Sequence, residues 1–594
     1  NSCRGVTYWS DGKNDGRIFY TAGSYLWCIS SETGKPINAF GDGGKIDLHV
    51  GLGDDVKDQF VTATSPGTIY KDLLVMGSRV NEGHQAAPGH IRAFDVRTGK
   101  MKWIFKTIPQ PGETGYESWK DKDAWKTIGA ANSWGGMSLD QEKGILFATT
   151  GSANYDWWGG NRKGNNLFAD CLLAIDAATG KRLWHFQHVH HDIWDKDLPA
   201  APALVTINKN GTKTEAVALT TKTGFVYIFD RVSGKPVYEI VEKHVPVDSD
   251  LEGEELSPTQ PYPTAPAPFV RQSFTEADIN SLLPDSSIAD IKKRWTTYRR
   301  DHMYAPISLR GTIQLPGLDG GAEWGGPSYD PETGILYINA NEMAWVIQGV
   351  PMKKEASEKE SMTTAGERLY RANCMSCHGA DKNGSGNFPT LIGSEKKYSP
   401  AGFDTLLQTG RRMMPAFREL PALYRQAIAS YVLNEKTTVI FQDTFSNRRK
   451  PLPYTIAGYN KFLSKEGLPA ISPPWGTLSA INLNTGEYVW KKPLGNDSRF
   501  PAAQHPTGTE NYGGSVITAG GLLIIAATSD SKLRIFNKRD GTLLHEINLP
   551  ASAFATPSVY SQNGKQFIAV ACGGGKLNTK SGDSYIAFSL PVKK

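Results

Sequence analysis

Short apolar runs separated by Asp, Asn and Gly fill most of this chain, and they read as strands joined by tight turns. One phrase recurs: "AFDVRTGKMKW" (93–103), "AIDAATGKRLW" (174–184), "IFDRVSGKPVY" (228–238) and "AINLNTGEYVW" (480–490). "CISSETGKPINAF" (28–40) and "IFNKRDGTLLH" (535–545) are weaker copies. In each, an Asp or Asn opens the turn, Gly supplies a positive φ, and an aromatic residue often closes the unit. The interval from Asp176 to Asp230, and from Asn482 to Asn537, is roughly fifty residues, the length of a four-stranded propeller blade. A β-sandwich of unrelated hairpins is the alternative, but sandwiches carry no blade phrase at that period. The pattern predicts an all-β propeller.

Between about Lys353 and Asn434 the pattern changes. "TAGERLYRANCMSCHGA" (364–380) reads as helix, and "PALYRQAIASYVL" (421–433) spaces Leu423, Ile428, Tyr431 and Val432 along one helical side. Strand-like text resumes at "TTVIFQD" (437–443). The expected organisation is a first propeller part over 1–352, a small helical module over 353–436, and the last blades over 437–594. The module is either inserted into the β host or placed between two blades. The Pro-rich "DLEGEELSPTQPYPTAPAPF" (250–269) is expected to be an ordered excursion rather than a blade.

Composition narrows the function classes. The chain has 594 residues and a net charge of +5 with cations and anions interspersed, so it lacks the basic stripe that nucleic-acid binding needs. Fifteen Trp and a full apolar complement are ample for a core. The longest apolar runs, such as "GGLLIIAAT" (520–528), are too short to span a bilayer. Six cysteines, Cys3, Cys28, Cys171, Cys374, Cys377 and Cys572, are too few for a disulfide scaffold. The start at Asn1 rather than Met is what removal of an export signal would leave.

The module carries the clearest chemical motif. Cys374, Cys377 and His378 form Cys-x-x-Cys-His, the attachment motif of c-type haem: two thiols bond the porphyrin vinyl groups and the His reaches the iron. A thioredoxin-like pair would need a βαβ context and a zinc site a second ligand pair, and neither is present. The sixth iron ligand is expected in "GRRMMPAF" (410–417), at Met414 with Met413 as the alternative, because Pro415 fixes the backbone just after Met414. A His/Met pair raises the iron potential, which suits an electron acceptor. Covalent haem attachment implies an exported, periplasmic protein. The β host offers "QHVHHDIWDKDLPAAP" (187–202), which packs His188, His190, His191, Asp192, Asp195 and Asp197 together. By composition alone it reads equally as a metal cluster or as polar residues closing a strand.

Beyond these motifs the chain resembles the quinoproteins, eight-bladed propeller dehydrogenases that use pyrroloquinoline quinone (PQQ) and a divalent metal, and most of all the branch containing membrane glucose dehydrogenase. The phrases that carry the resemblance run nearly end to end: "CRGVTYW" (3–9), "GHIRAFDVRTGK" (89–100), "GAANSWGGMSLD" (129–140), "TTGSANYDWWGGNR" (149–162), "VHHDIWDKDLPA" (189–200), "TKTGFVYIFDR" (221–231), "AEWGGPSYDPETGILY" (322–337), "PPWGTLSAI" (473–481), "TENYGGSVITAGGLL" (509–523) and "KSGDSYIAF" (580–588). The resemblance implies an eight-bladed β-propeller with an inserted cytochrome c domain.

It also implies roles. Asp195 would be the catalytic base that removes the substrate hydroxyl proton, and Lys222 the cation that hydrogen-bonds the quinone oxygens. Glu82, Asn154 and Asp195 would be metal ligands, an all-oxygen set that favours a calcium ion. Trp134 would stack under the planar cofactor, Arg4 would pair with a PQQ carboxylate, Asn341 would reach the ring oxygens, and Thr64 would be a weaker carboxylate contact. His190 and His191 are read as structural hydrogen bonders.

Two departures stand out. Cys3 has no adjacent cysteine, so the vicinal disulfide of many alcohol-oxidising relatives cannot form. The haem motif also lies inside the propeller rather than after it. The implied protein is a periplasmic quinohaemoprotein dehydrogenase that oxidises an alcohol, polyol or sugar hydroxyl and passes electrons from PQQ to its own haem c, then to an external cytochrome, copper protein or other acceptor. A non-catalytic propeller that displays a cytochrome is the alternative. The residues leave open the substrate, calcium against magnesium, the acceptor, the pairing of Cys3, Cys28, Cys171 and Cys572, and the oligomeric state.

Overall fold

The computed structural model describes residues 4–83, 86–209, 211–352, 360–384, 388–411, 414–442 and 452–590. Among them, eight antiparallel sheets have three or four strands. Seven of these follow one another along the chain, six built from strands close in sequence and one that pairs Ile335–Asn341 with Gly476–Asn482. The eighth, Thr312–Gln314 with Trp345–Ile347 and Asn460–Lys461, stands outside that series. Six of the first strands, Thr7–Ser10, Thr68–Tyr70, Met137–Asp140, Ala203–Lys209, Ser328–Asp330 and Ser515–Ile517, touch one another in succession. Sheets that meet through their first strands radiate from a common axis, which is the arrangement of propeller blades. Seven of the expected eight blades are thus formed by the described residues.

The recurring phrase explains how blades hold together. Asp95 Oδ1 accepts from Arg97 N and Thr98 N at 3.0 and 2.8 Å, and Asp230 Oδ1 accepts in the same way from Val232 N and Ser233 N at 3.1 and 2.7 Å. The closing aromatic then reaches the turn of the next blade. Trp103 Nε1 donates to Ala177 O at 3.2 Å, Trp184 Nε1 to Arg231 O at 3.0 Å, Tyr238 Oη to Leu483 O at 2.9 Å and Trp490 Nε1 to Lys538 O at 3.2 Å. Each phrase therefore supplies both a turn and a latch, and the aromatic body fills the gap between sheets.

The helical module interrupts a blade, not the space between blades. Strand Ile335–Asn341 pairs with Gly476–Asn482 in one four-stranded sheet, with Asn341 opposite Gly476. The inserted segment leaves one strand and returns to its neighbour, so its ends lie side by side and the blade register survives. Nested antiparallel pairs form a stalk: Trp345–Ile347 with Asn460–Lys461, Gly349–Pro351 with Tyr454–Ile456, and Glu360–Ser361 with Ile440–Phe441. Beyond it, helices Met362–Asn373, Met375–His378, Pro400–Thr409 and Ala422–Val432 enclose a separate core of Leu369, Tyr370, Met375, Phe403, Leu407 and Ile428.

Candidate active site and haem site

Asp195 lies on the connection from strand Arg182–Gln187 to strand Ala203–Lys209, and Lys222 on the turn after Thr212–Thr220. Lys222 Nζ donates to Asp195 Oδ1 at 2.9 Å and to Asp195 O at 3.0 Å. Asp195 holds φ at 54°, a left-handed conformation uncommon outside Gly, Asn and Asp, which turns its carboxylate toward the lysine. Its side chain keeps 21% of its surface although it sits deep in the protein, so the accessible part faces an internal cleft. Burial raises the Asp195 carboxyl well above the usual range, Lys222 pulls it back, and Asp197 and Glu82 push it up further. Burial opposes the Lys222 charge as well, but Asp195 and Asp197 outweigh it and the ammonium is held protonated.

Further carboxylates share this cleft. Asp156 is buried and raised well above its ordinary range by burial, then by Asp195, Asp197 and Glu82. Glu82 stands exposed at the rim, just after strand Arg79–Val80. Asn154 is buried behind it; its Nδ2 donates to Gly83 O at 3.0 Å and its Oδ1 accepts from Gly129 N at 2.6 Å. Asp156, Asp195, Asp197 and Glu82 thus act on one another, while Lys222 is the cation paired with Asp195. A hard divalent cation fits this oxygen-rich donor set.

Trp134 is oriented from the same stretch. Its Nε1 donates to Asp197 Oδ2 at 2.6 Å, and Asp197 Oδ1 accepts from Ser152 N at 2.9 Å. A Cβ on Gly135 would sit 2.3 Å from Pro199 O, so the glycine allows the Trp134 turn to press on the chain that carries Asp195. Thr64, Ser78, Ser133 and Trp134 line a small recess, and Thr64 Oγ1, Ser78 Oγ and Ser133 Oγ are buried there without a hydrogen-bond partner. The recess itself is water-sized, and what it offers an oxygen-rich ligand such as PQQ is the set of unpartnered hydroxyls near Trp134. The Arg4 guanidinium lies over both Trp134 and Trp324, 5.2 and 4.6 Å from their ring centres, and Arg4 N donates to Thr64 O at 2.8 Å.

Asn341 has a different setting. Its Nδ2 donates to Asn511 O at 3.1 Å and its Oδ1 accepts from Asn511 N at 2.8 Å. It clamps the interrupted blade to the next, with one amide hydrogen to spare. The histidines of the 187–202 stretch are engaged by the protein: His188 Nε2 with Thr223 Oγ1, His190 with Gln187 and Glu242, and His191 with Gly164 O and, at 2.8 Å, Glu254 Oε1. Asp170, Asp192 and Asp197 bring their oxygens within 4.8 Å of one another, and all three lie within reach of Ser152 Oγ, whose single hydrogen serves one of them at a time. Sequence reasoning missed Asp156 and Asp170 because nothing in their local text distinguishes them from ordinary loop acids. It also missed Glu323, which burial pushes up to about 8 against the pull of Lys576.

In the module, helix Met362–Asn373 delivers Cys374, and Cys377 and His378 follow on a single helical turn. His378 Nδ1 donates to Pro389 O at 2.8 Å, which fixes the ring and turns Nε2 into the iron-facing nitrogen. Met414 packs against the module core that includes Cys374 and Met375. Met413 and Cys3 lie outside the described residues. Among the described residues Cys28, Cys171 and Cys572 are buried free thiols.

The family model of the glucose/ethanol/alcohol dehydrogenase PQQ β-propeller domain matches residues 1–390 and 405–568, and that of cytochrome c oxidase, cbb3-type, subunit III matches 361–432. The chain is 30% identical to quinate/shikimate dehydrogenase (quinone) of Acinetobacter baylyi over 96% of its own length and 62% of the relative's. It is also 30% identical to quinoprotein glucose dehydrogenase of Escherichia coli, over 97% and 63%. It therefore spans a little over three-fifths of these relatives. Among solved structures, quinohemoprotein alcohol dehydrogenase from Comamonas testosteroni superposes with a TM-score of 0.59 at 18% identity, covering 99% of this chain and 66% of that one. Taken with the cleft under Trp134 and the Cys-x-x-Cys-His turn, these matches place the chain in the PQQ-dependent β-propeller dehydrogenase family, with a cytochrome c domain built into one blade.

Proposed function

We propose that this protein is a periplasmic quinohaemoprotein dehydrogenase that oxidises the hydroxyl of an alcohol, polyol or sugar and delivers the electrons to its own haem c. The domain division we propose is 1–352 and 437–594 for the propeller and 353–436 for the cytochrome. The observation that carries the reading is the Asp195–Lys222 pair, closed at 2.9 Å inside an acid-rich cleft beside Trp134. PQQ, when bound, supplies the two-electron acceptor for the substrate's hydride, and a calcium ion the Lewis acid that polarises it.

The chain's own residues would do the rest. Trp134, held by Asp197, offers its indole face to the flat ring, while Arg4 and Thr64 take its carboxylates and Asn341 offers its remaining amide hydrogen. Glu82, Asn154 and Asp195 hold the cation. With that cation present Asp195 is ionised despite its burial, and it takes the hydroxyl proton of the substrate. Lys222 stays charged, orients Asp195 and stabilises negative charge developing on oxygen. His378 and Met414 would hold the haem iron, whose chemistry is to carry one electron at a time. The partner this implies is a one-electron carrier outside the protein, a cytochrome or copper protein by class. No helix among the described residues is long and apolar enough to cross a membrane.

The test is Asp195→Asn in protein loaded with PQQ and Ca²⁺. Substrate-driven haem reduction should disappear across a panel of glucose, quinate, glycerol and ethanol, while the haem spectrum stays that of the parent. Unchanged turnover would remove Asp195 from its role; parent protein that takes up no PQQ would favour a non-catalytic propeller.

A further inference from the structure

The segment that returns from the cytochrome to the propeller brings Tyr459 to a position that the functional reading does not use. Tyr459 N donates to Ser376 O at 3.1 Å, inside the Cys-x-x-Cys-His turn and one residue before Cys377. Its ring lies between the two parts of the molecule. Trp157, on the propeller loop that also carries Asn154 and Asp156, meets it at 5.7 Å between ring centres and 70°. Phe388, from the cytochrome, meets it at 5.6 Å and 36°. Burial raises the Tyr459 hydroxyl well above the phenol range, with Glu82, Cys377, Asp156 and Asp195 adding to the effect in that order. Three carboxyl groups of the cleft thus act on a side chain whose backbone also bonds the haem-attachment turn.

We propose that Tyr459 is the positioning residue that couples the quinone cleft to the haem: its ring fills the space between Trp157 and Phe388, and its backbone N–H pins the haem-attachment turn against the propeller. The inference rests on the functional reading above and deepens it. Oxidation of one hydroxyl releases two electrons and two protons. The protons leave to Asp195 and solvent. The electrons cross this contact singly, each reducing ferric haem to ferrous, with the external carrier restoring ferric iron between them. Electron passage weakens steeply across a gap and less steeply through packed atoms, so a filled contact at this point governs the rate.

The experiment compares the parent, Tyr459→Phe and Tyr459→Leu as ferric, Ca²⁺-loaded holocytochromes. Chemically reduced PQQ is added without air and haem reduction is followed by absorbance. In parallel, PQQ affinity is measured by tryptophan fluorescence quenching and the haem midpoint potential by redox titration. Tyr459→Phe keeps the ring and the N–H and should reduce its haem at the parent rate; Tyr459→Leu should be slower by about tenfold or more, because the ring contacts are lost. Affinity and potential should stay at parent values, which a merely structural defect would not allow. Phe388→Ala, which opens the same contact from the cytochrome side, should reproduce the slowing if Tyr459→Leu fails to fold. Equal rates in parent and Leu or Ala variants would overturn the inference alone. Failure of the parent to bind PQQ would overturn the functional reading and the inference with it.

Discussion

Trp134 Nε1 donates to Asp197 Oδ2 at 2.6 Å, so the residue expected to stack on the cofactor takes its orientation from the same three-residue stretch, Asp195 to Asp197, that carries the expected base. A hydrogen bond to a charged acceptor is worth about 1.5–3 kcal/mol, which corresponds to roughly ten- to a hundredfold in an equilibrium. Asp197→Leu should therefore weaken PQQ binding by about that factor, seen as a shifted fluorescence titration, and leave the haem spectrum unchanged.

Removing the divalent cation should destabilise the propeller. Glu82, Asp156, Asp195 and Asp197 repel one another, and Lys222 is paired with Asp195. A chelator should lower the melting temperature, and Ca²⁺ at about a hundred times its dissociation constant should restore about 2.7 kcal/mol. Glu82→Gln should shrink the calcium-dependent part of that shift.

Glu323 gives a pH dependence with a definite sign. Burial is its largest influence and holds its pKa at about 8, against an ordinary carboxyl value of 4.5. Because the folded state keeps a proton that the unfolded state releases, stability is highest below the unfolded value and is lost as pH rises through the folded one. In haem-loaded, PQQ-free protein, denaturant midpoints should fall between about pH 5 and pH 8 and then level. Glu323→Gln should flatten that slope and be the more stable form at pH 8.

Met414→Ala should lower the haem midpoint potential, because loss of a thioether ligand removes the stabilisation of ferrous iron. Met413→Ala is the control, and redox titration of the two variants discriminates between the adjacent methionines. A potential that falls only with Met413→Ala would move the axial role by one residue.

Much of this was legible in one dimension. The blade phrase announces itself because Asp caps its own turn within three residues and Gly supplies the φ, both local requirements. The haem motif is equally local, since two thioethers and an iron ligand must come from one helical turn. Glu82, Asn154, Asp195 and Lys222 were reachable through resemblance, although 140 residues separate the first from the last. Asp156 and Glu323 were not, because their significance lies in burial and in charges that arrive from other blades. Nor could the text say that the closing Trp of one phrase bonds the turn of the next.

The sequence by itself therefore determined the repeating unit and the cofactor class of the insert, both of which depend on contacts within a few positions of the chain, while the candidate chemistry of single residues came through resemblance. Only the tertiary structure decided that the cytochrome divides a blade between Asn341 and Gly476, that Asp197 steers Trp134, and that Tyr459 bonds the haem-attachment turn while its ring packs on Trp157. Those relationships follow from blade closure, which brings residues far apart in sequence to the same axial cleft.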